Sequence, residues 1–152
     1  MKTLRGHRPR THLTYSEREA WLVLEKGENC PFCSKKIEIE KSSHHHFDFK
    51  GQKEEGGRRH PSQLELIHRL HPECHHRIHL IAGLIFKILE ISPQMKIEIL
   101  VGKVAKTLGE EPEKVYWVIE KEMVKAKLVE IKEGELRILP EGFKRKEAIK
   151  SY

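Results

Sequence analysis

Cysteine and histidine are confined to one part of this 152-residue chain, since all three cysteines and all eleven histidines lie at or before His79. Two pairs share a two-residue spacing: "CPFC" and "HPEC". Thiolates at C-x-x-C spacing can point inward from a tight turn and share one tetrahedral zinc ion with a second such pair. The alternative is a set of ordinary buried or free thiols. We predict a structural Zn²⁺ site whose ligands are Cys30, Cys33, His71 and Cys74.

The stretch "HRLHPECHHRIH" holds more histidines than one zinc site needs. His75 and His79 are four residues apart, so on a helix they lie on one face and can bind a single cation together. Upstream, "SHHHFDF" supplies three consecutive histidines, whose side chains alternate between the two sides of an extended chain. We therefore predict a second metal site between this strand and the helix, which the zinc site holds together. His68 and His76 receive no ligand role and are expected to face solvent or phosphate.

Taken in order, "CPFC", "HHF", a loop with "EEGG" and "IHRLHPECHHRIH" resemble the HNH family of His-Me finger (ββα-metal) nucleases. The resemblance covers about residues 30–79. It implies that His46, which precedes the apolar Phe47, is the general base. It also implies a catalytic divalent cation, either Mg²⁺, Mn²⁺ or a transition metal, since imidazole-rich sites do not determine the metal. The ligands implied for that cation are His45, His75 and His79.

Two points of the resemblance stay open. A register one residue earlier makes His44 the ligand and His45 the base. Asp48 is either part of the site or a solvated loop carboxylate. The family's central asparagine, which ties down the loop beside the base, falls at Leu66 in this chain. The nearest side-chain amide is Gln63, which can substitute only if the segment carries an insertion.

These residues fit the hydrolysis of phosphodiester bonds. A neutral histidine can accept the proton of an attacking water near pH 7, and a cation can neutralise charge on the phosphoryl and leaving oxygens. We therefore expect a metal-dependent endonuclease that acts on DNA, most simply double-stranded, and the resemblance implies products with 5′-phosphate ends. The alternative is an inactive, zinc-stabilised DNA-binding regulator, which the absence of the asparagine favours. Either one can act as a homodimer or as a subunit of a larger restriction, repair or mobile-element system.

The elements that must position these residues are visible in the first half. "SEREAWLVLEKG" predicts a helix with a capping box formed by Ser16 and Glu19 and an end at Gly27. "ENCPFC" predicts a tight turn, and the alternation from Lys36 to Lys41 predicts a strand. Residues 50–61 read as a surface loop. After Pro72 a helix is expected through residue 91, before Ser92 and Pro93.

The second half reads as two helices and a hairpin. We predict helices from Ile99 to Leu108 and from Pro112 to about Ala126, then two short strands around Glu133 and Gly134. Residues 80–140 thereby resemble a winged helix-turn-helix. The expected fold class is α+β, with a zinc-knuckle ββα-metal (HNH) domain over residues 1–80. A winged-helix domain over residues 81–152 follows, joined through a helix that can run continuously over residues 73–91.

The chain carries a net charge of +6, which favours a polyanionic partner. It has no apolar run of membrane-spanning length and no secretory signal pattern, so we expect a cytoplasmic protein. Abundant Lys and Glu with a single asparagine indicate a heat-adapted source. Candidate phosphate contacts lie in the N-terminal arm, in the predicted loop and near the metal ligands. They are Arg5, Arg8, Arg10, Arg58, Arg59, Arg69 and Arg77.

Overall fold

The computed structural model describes residues 13–47 and 61–144, which form an α+β fold with two small antiparallel sheets. The predicted α+β class is therefore confirmed. The predicted loop at residues 50–61 lies almost wholly outside the described residues. In chain order the elements are α1 (Tyr15–Lys26), β1 (Ser43–His46), a 3₁₀ helix (Pro61–Leu66), β2 (Ile67–Leu70), α2 (Pro72–Ile91), β3 (Gln94–Lys96), α3 (Ile97–Leu108), α4 (Pro112–Val118), a π-helical turn (Ile119–Met123), β4 (Val129–Lys132) and β5 (Glu135–Ile138).

The capping box of helix α1 lies two residues earlier than the sequence predicts. Its N-cap is Thr14, whose hydroxyl accepts from the Glu17 N–H while the Glu17 carboxylate accepts from the Thr14 N–H. The predicted Ser16 and Glu19 capping box is wrong, because Glu19 turns inward and is 1% exposed. Gly27 ends the helix as predicted, with φ of 90° at the cap.

The predicted strand over Lys36 to Lys41 is wrong. Lys36 forms only an isolated bridge with Asn29, and Glu40 has a positive φ of 62°, which breaks an extended chain. The strand comes later, as β1, and pairs antiparallel with β2 so that His45 lies opposite His68 and His44 opposite Arg69. This two-stranded ladder places alternate histidines on opposite faces.

Helix α2 follows β2 directly and runs without a break over Pro72–Ile91. Pro72 lies in the first turn, where its missing N–H leaves no hydrogen bond unmade, and Ser92 ends the helix as predicted. The order of β1, β2 and α2 is therefore strand, strand, helix, with α2 packed on the sheet. This arrangement brings the first turns of α2 against β1.

The second half contains the predicted helices and hairpin. Helix α3 ends at Gly109, which adopts the left-handed conformation with φ of 68°. The predicted second helix begins at Pro112 but becomes a π-helical turn after Val118. Strand β3, which the sequence did not predict, pairs with β5 and gives the sheet order β3-β5-β4.

A single hydrophobic cluster extends through both halves of the described chain, from Cys30 and Phe32 through α2 to Leu136 and Ile138. The predicted boundary near residue 80 falls within α2, whose buried side chains belong to this cluster. The metal-ligand residues and the C-terminal helices are therefore packed against one another. Among the described helices, none combines the length and apolar character needed to cross a bilayer.

Candidate metal centres

The first candidate centre joins the turn after α1 to the start of α2. Cys30 and Cys33 lie in a turn closed by a 2.7 Å hydrogen bond from the Ser34 N–H to the Cys30 carbonyl. His71 is the N-cap residue of α2, and Cys74 lies in its first turn. One ligand atom from each of the four predicted residues lies within 4.8 Å of all the others. The C-x-x-C and H-x-x-C spacings thus converge on one point.

The donor set of this Cys₃His cluster suits a structural metal ion such as zinc. His71 Nδ1 is 3.3 Å from Cys33 Sγ, while its Nε2 lies 3.1 Å from the Lys36 carbonyl, an outer partner of the kind that orients a ligating histidine. Burial and the neighbouring Cys30 and Cys33 raise the pKa of Cys74. A buried thiol such as that of Cys74, which resists losing its proton, is stabilised as a thiolate when a cation replaces that proton.

The second candidate centre lies where α2 packs against β1. It consists of His45, His75 and His79, whose ligand atoms all lie within 4.8 Å of one another. The His45 ring centroid is 4.7 Å from that of His75 and 5.0 Å from that of His79. These are the three residues predicted as ligands of a catalytic cation. Three imidazoles can hold a divalent cation and leave coordination positions for other ligands.

Burial keeps these imidazoles in the form that coordinates a metal. It lowers the pKa of His45 to about 3 and, together with the charge of neighbouring histidines, lowers the pKa of His75 to about 3 and that of His79 to about 2. All three are therefore neutral at pH 7. The Ser43 hydroxyl lies 2.5 Å from His75 Nδ1 and orients that ring.

The alternative register, with His44 as ligand, finds no geometric support. His44 lies on the opposite face of β1, where its Nδ1 accepts from Arg18 Nε at 2.7 Å and its Nε2 bonds Glu19 at 2.8 Å. Its ring also stacks on Tyr15 at 4.5 Å. His44 is thus part of the packing between α1 and β1.

His46, the predicted general base, directly follows the ligand candidate His45. Its Nε2 is buried and makes no hydrogen bond within the described part of the chain. Burial lowers the pKa of His46 to about 4, and the positive Arg18 contributes in the same direction. An imidazole held neutral with an unsatisfied nitrogen is able to accept a proton.

The segment beside His46 is held by means other than the family's asparagine. The Leu66 carbonyl accepts a 2.9 Å hydrogen bond from the Phe47 N–H, extending the β1–β2 ladder past His46. The Phe47 ring also stacks on His68 at 4.4 Å. Backbone pairing and ring stacking therefore tether this position where Leu66 lacks an amide. Asp48 lies outside the described residues.

Glu122, in the π-helical turn, is a residue of this site that sequence reasoning missed. Its Oε1 lies 2.9 Å from His45 Nε2 and its Oε2 lies 2.7 Å from His68 Nδ1, and its side chain is 0% exposed. Its position was a usable signal, since it follows Val115 and Ile119 at the spacing of the buried helix face. His68, expected to face solvent or phosphate, is only 11% exposed, whereas His76 is exposed.

Two of the predicted phosphate-binding arginines are engaged within the protein. The prediction for Arg69 is wrong, because this side chain is 2% exposed and donates to Glu19 and to three backbone carbonyls. Arg77 forms two hydrogen bonds with Glu110, of 2.8 and 2.6 Å, and lies over the Phe32 ring. The remaining candidates lie outside the described residues: Arg5, Arg8, Arg10, Arg58 and Arg59.

Comparisons with models of known protein families, with curated proteins and with solved structures found no match for this chain.

Proposed function

We propose that this protein is a metal-dependent endonuclease of the HNH (His-Me finger) type, acting on DNA. The observation that carries the proposal is the convergence of His45, His75 and His79 on one point, with His46 as the residue that follows His45 in β1. Strand β1 supplies His45 and His46, helix α2 supplies His75 and His79, and the strand, strand, helix order is the one that the sequence resemblance implies. The Cys₃His cluster lies at the start of the same helix and would hold a structural zinc ion.

The cation would be held by the three imidazoles, and when bound it would neutralise charge on a phosphoryl oxygen and on the departing 3′-oxygen. The chain's own residues would do the rest of the chemistry. His46 would accept the proton of the attacking water through its buried nitrogen. Strand β1 pairs with β2 and packs against α2, and these contacts would fix the position of His46 relative to the imidazole cluster.

Double-stranded DNA is the proposed substrate because the reacting group is a phosphodiester and the chain is basic overall, at +6. With Arg69 buried and Arg77 paired to Glu110, backbone contacts would rest on the N-terminal arm and on residues 48–60. Both segments are adjacent in sequence to elements of the site. They contain five of the seven arginines first considered for this role.

The packing of α4 counts against a regulator that reads DNA with this helix. Trp117 lies against Phe32 at 5.3 Å and against His68 at 5.2 Å, and Glu122 bonds His45. The helix that a winged helix would place in a major groove therefore directs these side chains into the metal-binding half. The exposed charges of α4 and of the turn after it are mixed, with Glu113 and Glu120 beside Lys121 and Lys125, so they do not form a basic face for a DNA groove.

The test is cleavage of supercoiled plasmid by purified, zinc-loaded protein with added Mg²⁺ or Mn²⁺, compared with His46→Ala and His76→Ala. His76 is exposed, sits on the same helix as two ligand candidates and receives no role, so it is a matched control. We expect cleavage by the parent and by His76→Ala, and a loss of at least about 100-fold in His46→Ala. Equal cleavage by both variants, or none by the metal-loaded parent at any temperature at which it is folded, would contradict the proposal.

A further inference from the structure

The buried carboxylate of Glu122 lies between two histidines of the ββα unit, although it belongs to the C-terminal half of the chain. It accepts a hydrogen bond from His45 at one oxygen and from His68 at the other, at 2.9 and 2.7 Å. His45 and His68 face each other across the β1–β2 ladder. One side chain therefore connects both strands of this sheet to the turn that follows α4.

A carboxylate is a costly choice for a fully enclosed position, because burying a charge is unfavourable unless hydrogen bonds compensate for lost hydration. Val118, Ile119 and Met123 around it are all buried and apolar, and an apolar side chain would extend that packing. Both oxygens of Glu122 are instead satisfied by imidazole N–H groups. The position is thus specified by the histidines that it contacts.

The contact with His45 determines which imidazole nitrogen can bind a cation. A nitrogen whose proton is donated to a carboxylate cannot also coordinate a metal, so a hydrogen bond from Nε2 to Glu122 makes Nδ1 the coordinating atom. Carboxylates that accept from a ligating histidine in this way orient its ring and make it a stronger ligand. The second bond, from His68, fixes the carboxylate itself.

We propose that Glu122 is a positioning residue for the cation held by His45, His75 and His79, so that the C-terminal half of the chain helps to build the metal centre. The inference rests on the proposed function in so far as that function places a cation there. It adds that packing of the π-helical turn and cation affinity are linked. A change at Glu122 will therefore weaken binding of the cation, even though Glu122 is not a ligand.

The test uses full-length protein whose Cys₃His cluster is first filled with Zn²⁺, then titrated with Co²⁺ and followed by visible absorption. Thiolate coordination gives intense charge-transfer bands and imidazole coordination does not, so the spectrum shows which centre the cobalt occupies. We compare the parent with Glu122→Gln and with Glu120→Gln, an exposed glutamate two residues away. We expect Glu122→Gln to raise the Co²⁺ dissociation constant by about 10–100-fold and to alter the spectrum of the imidazole-bound cobalt. We expect Glu120→Gln to leave both unchanged.

An unchanged dissociation constant in folded, zinc-loaded Glu122→Gln would overturn the positioning role while leaving the cation site intact. If the zinc-loaded parent binds no Co²⁺, or binds it only with thiolate bands in the spectrum, the cation site itself is overturned, and with it the proposed function. His68→Leu is a second variant in case Glu122→Gln fails to fold. It keeps Glu122 and its bond to His45, and it removes the other hydrogen bond together with the ring that stacks on Phe47. We expect His68→Leu to raise the Co²⁺ dissociation constant by less than Glu122→Gln does. An unchanged dissociation constant in His68→Leu would also count against the proposal.

Discussion

Arg69 and Glu19 form a buried ion pair, in which Arg69 Nη2 donates to Glu19 Oε2 at 2.9 Å and both side chains are 2% exposed. Glu19 also accepts from the Ser42 hydroxyl at 2.5 Å and from the Glu40 N–H at 2.7 Å. Through these bonds α1 is joined to β2 and to the segment that leads into β1. The strand that carries His45 and His46 is therefore positioned by a hydrogen-bond network with α1 and β2 that contains none of the candidate metal ligands.

We expect Glu19→Gln to lower the free energy of unfolding at pH 7 by about 3 kcal/mol, because it leaves the Arg69 guanidinium buried without its counter-charge. A matched exposed site is Glu28, whose side chain is 51% exposed, and Glu28→Gln is expected to change stability by less than about 0.5 kcal/mol. Chemical denaturation of the three zinc-loaded proteins measures both differences. Similar effects at the two glutamates would show that the buried pair contributes little.

The same carboxylate makes stability depend on pH. Burial alone raises its pKa, but hydrogen bonds from Arg69, His44, Ser42 and the Glu40 N–H outweigh burial and lower the pKa of Glu19 from 4.5 to about 2. Because the folded pKa is below the unfolded value, the contribution is fully present above about pH 4.5 and is lost as the pH falls toward 2. The stability difference between parent and Glu19→Gln is therefore expected to shrink over that interval. A difference that stays constant from pH 6 to about pH 3 would contradict this assignment.

Removal of the structural metal tests the Cys₃His cluster. We expect Cys74→Ser to lose the zinc that the parent retains and to lower the thermal midpoint by about 10 °C or more, since structural zinc binding is coupled to folding. Lys35→Ala is the control, because Lys35 is exposed in the same turn and is outside the cluster. Elemental analysis and thermal unfolding give both quantities. Retention of a full equivalent of zinc by Cys74→Ser would remove Cys74 from the site.

The local signals in the sequence determined much of this fold. Proline at the start and serine at the end marked α2, and glycine marked the ends of α1 and α3, because these signals depend on backbone geometry within one turn. The C-x-x-C and H-x-x-C spacings also identified the four residues that converge in the Cys₃His cluster, and the four-residue spacing of His75 and His79 identified two of the three in the histidine cluster. Such spacings are informative because one turn of helix or one tight turn already brings the paired ligands together.

What failed depended on contacts between distant segments. Alternation in residues 36–41 indicated a strand, yet Ile37 is buried while Ile39 is 57% exposed, so the pattern reflects one anchored side chain. Strand β3 has three residues and forms only by pairing with β5, about 40 residues later. The burial of Arg69 and the role of Glu122 likewise require partners 50 and 77 residues away, which local patterns do not contain.

The turn that holds Cys30 and Cys33, here called the cysteine knuckle, also packs on α4 through Phe32, which is 2% exposed. The charged groups of Arg77 and Lys114 lie 4.8 and 5.0 Å from the centre of its ring, and Trp117 contacts its edge. We expect Phe32→Ala to cost about 3–5 kcal/mol, because it opens a cavity between the two halves. Phe143→Ala, at a ring that is 45% exposed, is expected to cost less than about 1 kcal/mol. Denaturant titration compares them, and a cost below about 1 kcal/mol for Phe32→Ala would show that the cysteine knuckle does not depend on α4.

Two glycines offer a pair of alanine substitutions with opposite expected signs. A Cβ at Gly142 would lie 2.3 Å from the Leu128 carbonyl oxygen, a backbone atom that cannot move away cheaply, and 2.9 Å from Ile138 Cγ1. At Gly102, in the middle of α3, the same atom would meet nothing within 4 Å. We expect Gly142→Ala to destabilise the fold by about 1–3 kcal/mol through overpacking, and Gly102→Ala to stabilise it by about 0.5–1 kcal/mol through helix propensity. Thermal unfolding of both variants beside the parent decides the matter, since a neutral or stabilising Gly142→Ala would mean that the chain after β5 does not pack closely on Leu128.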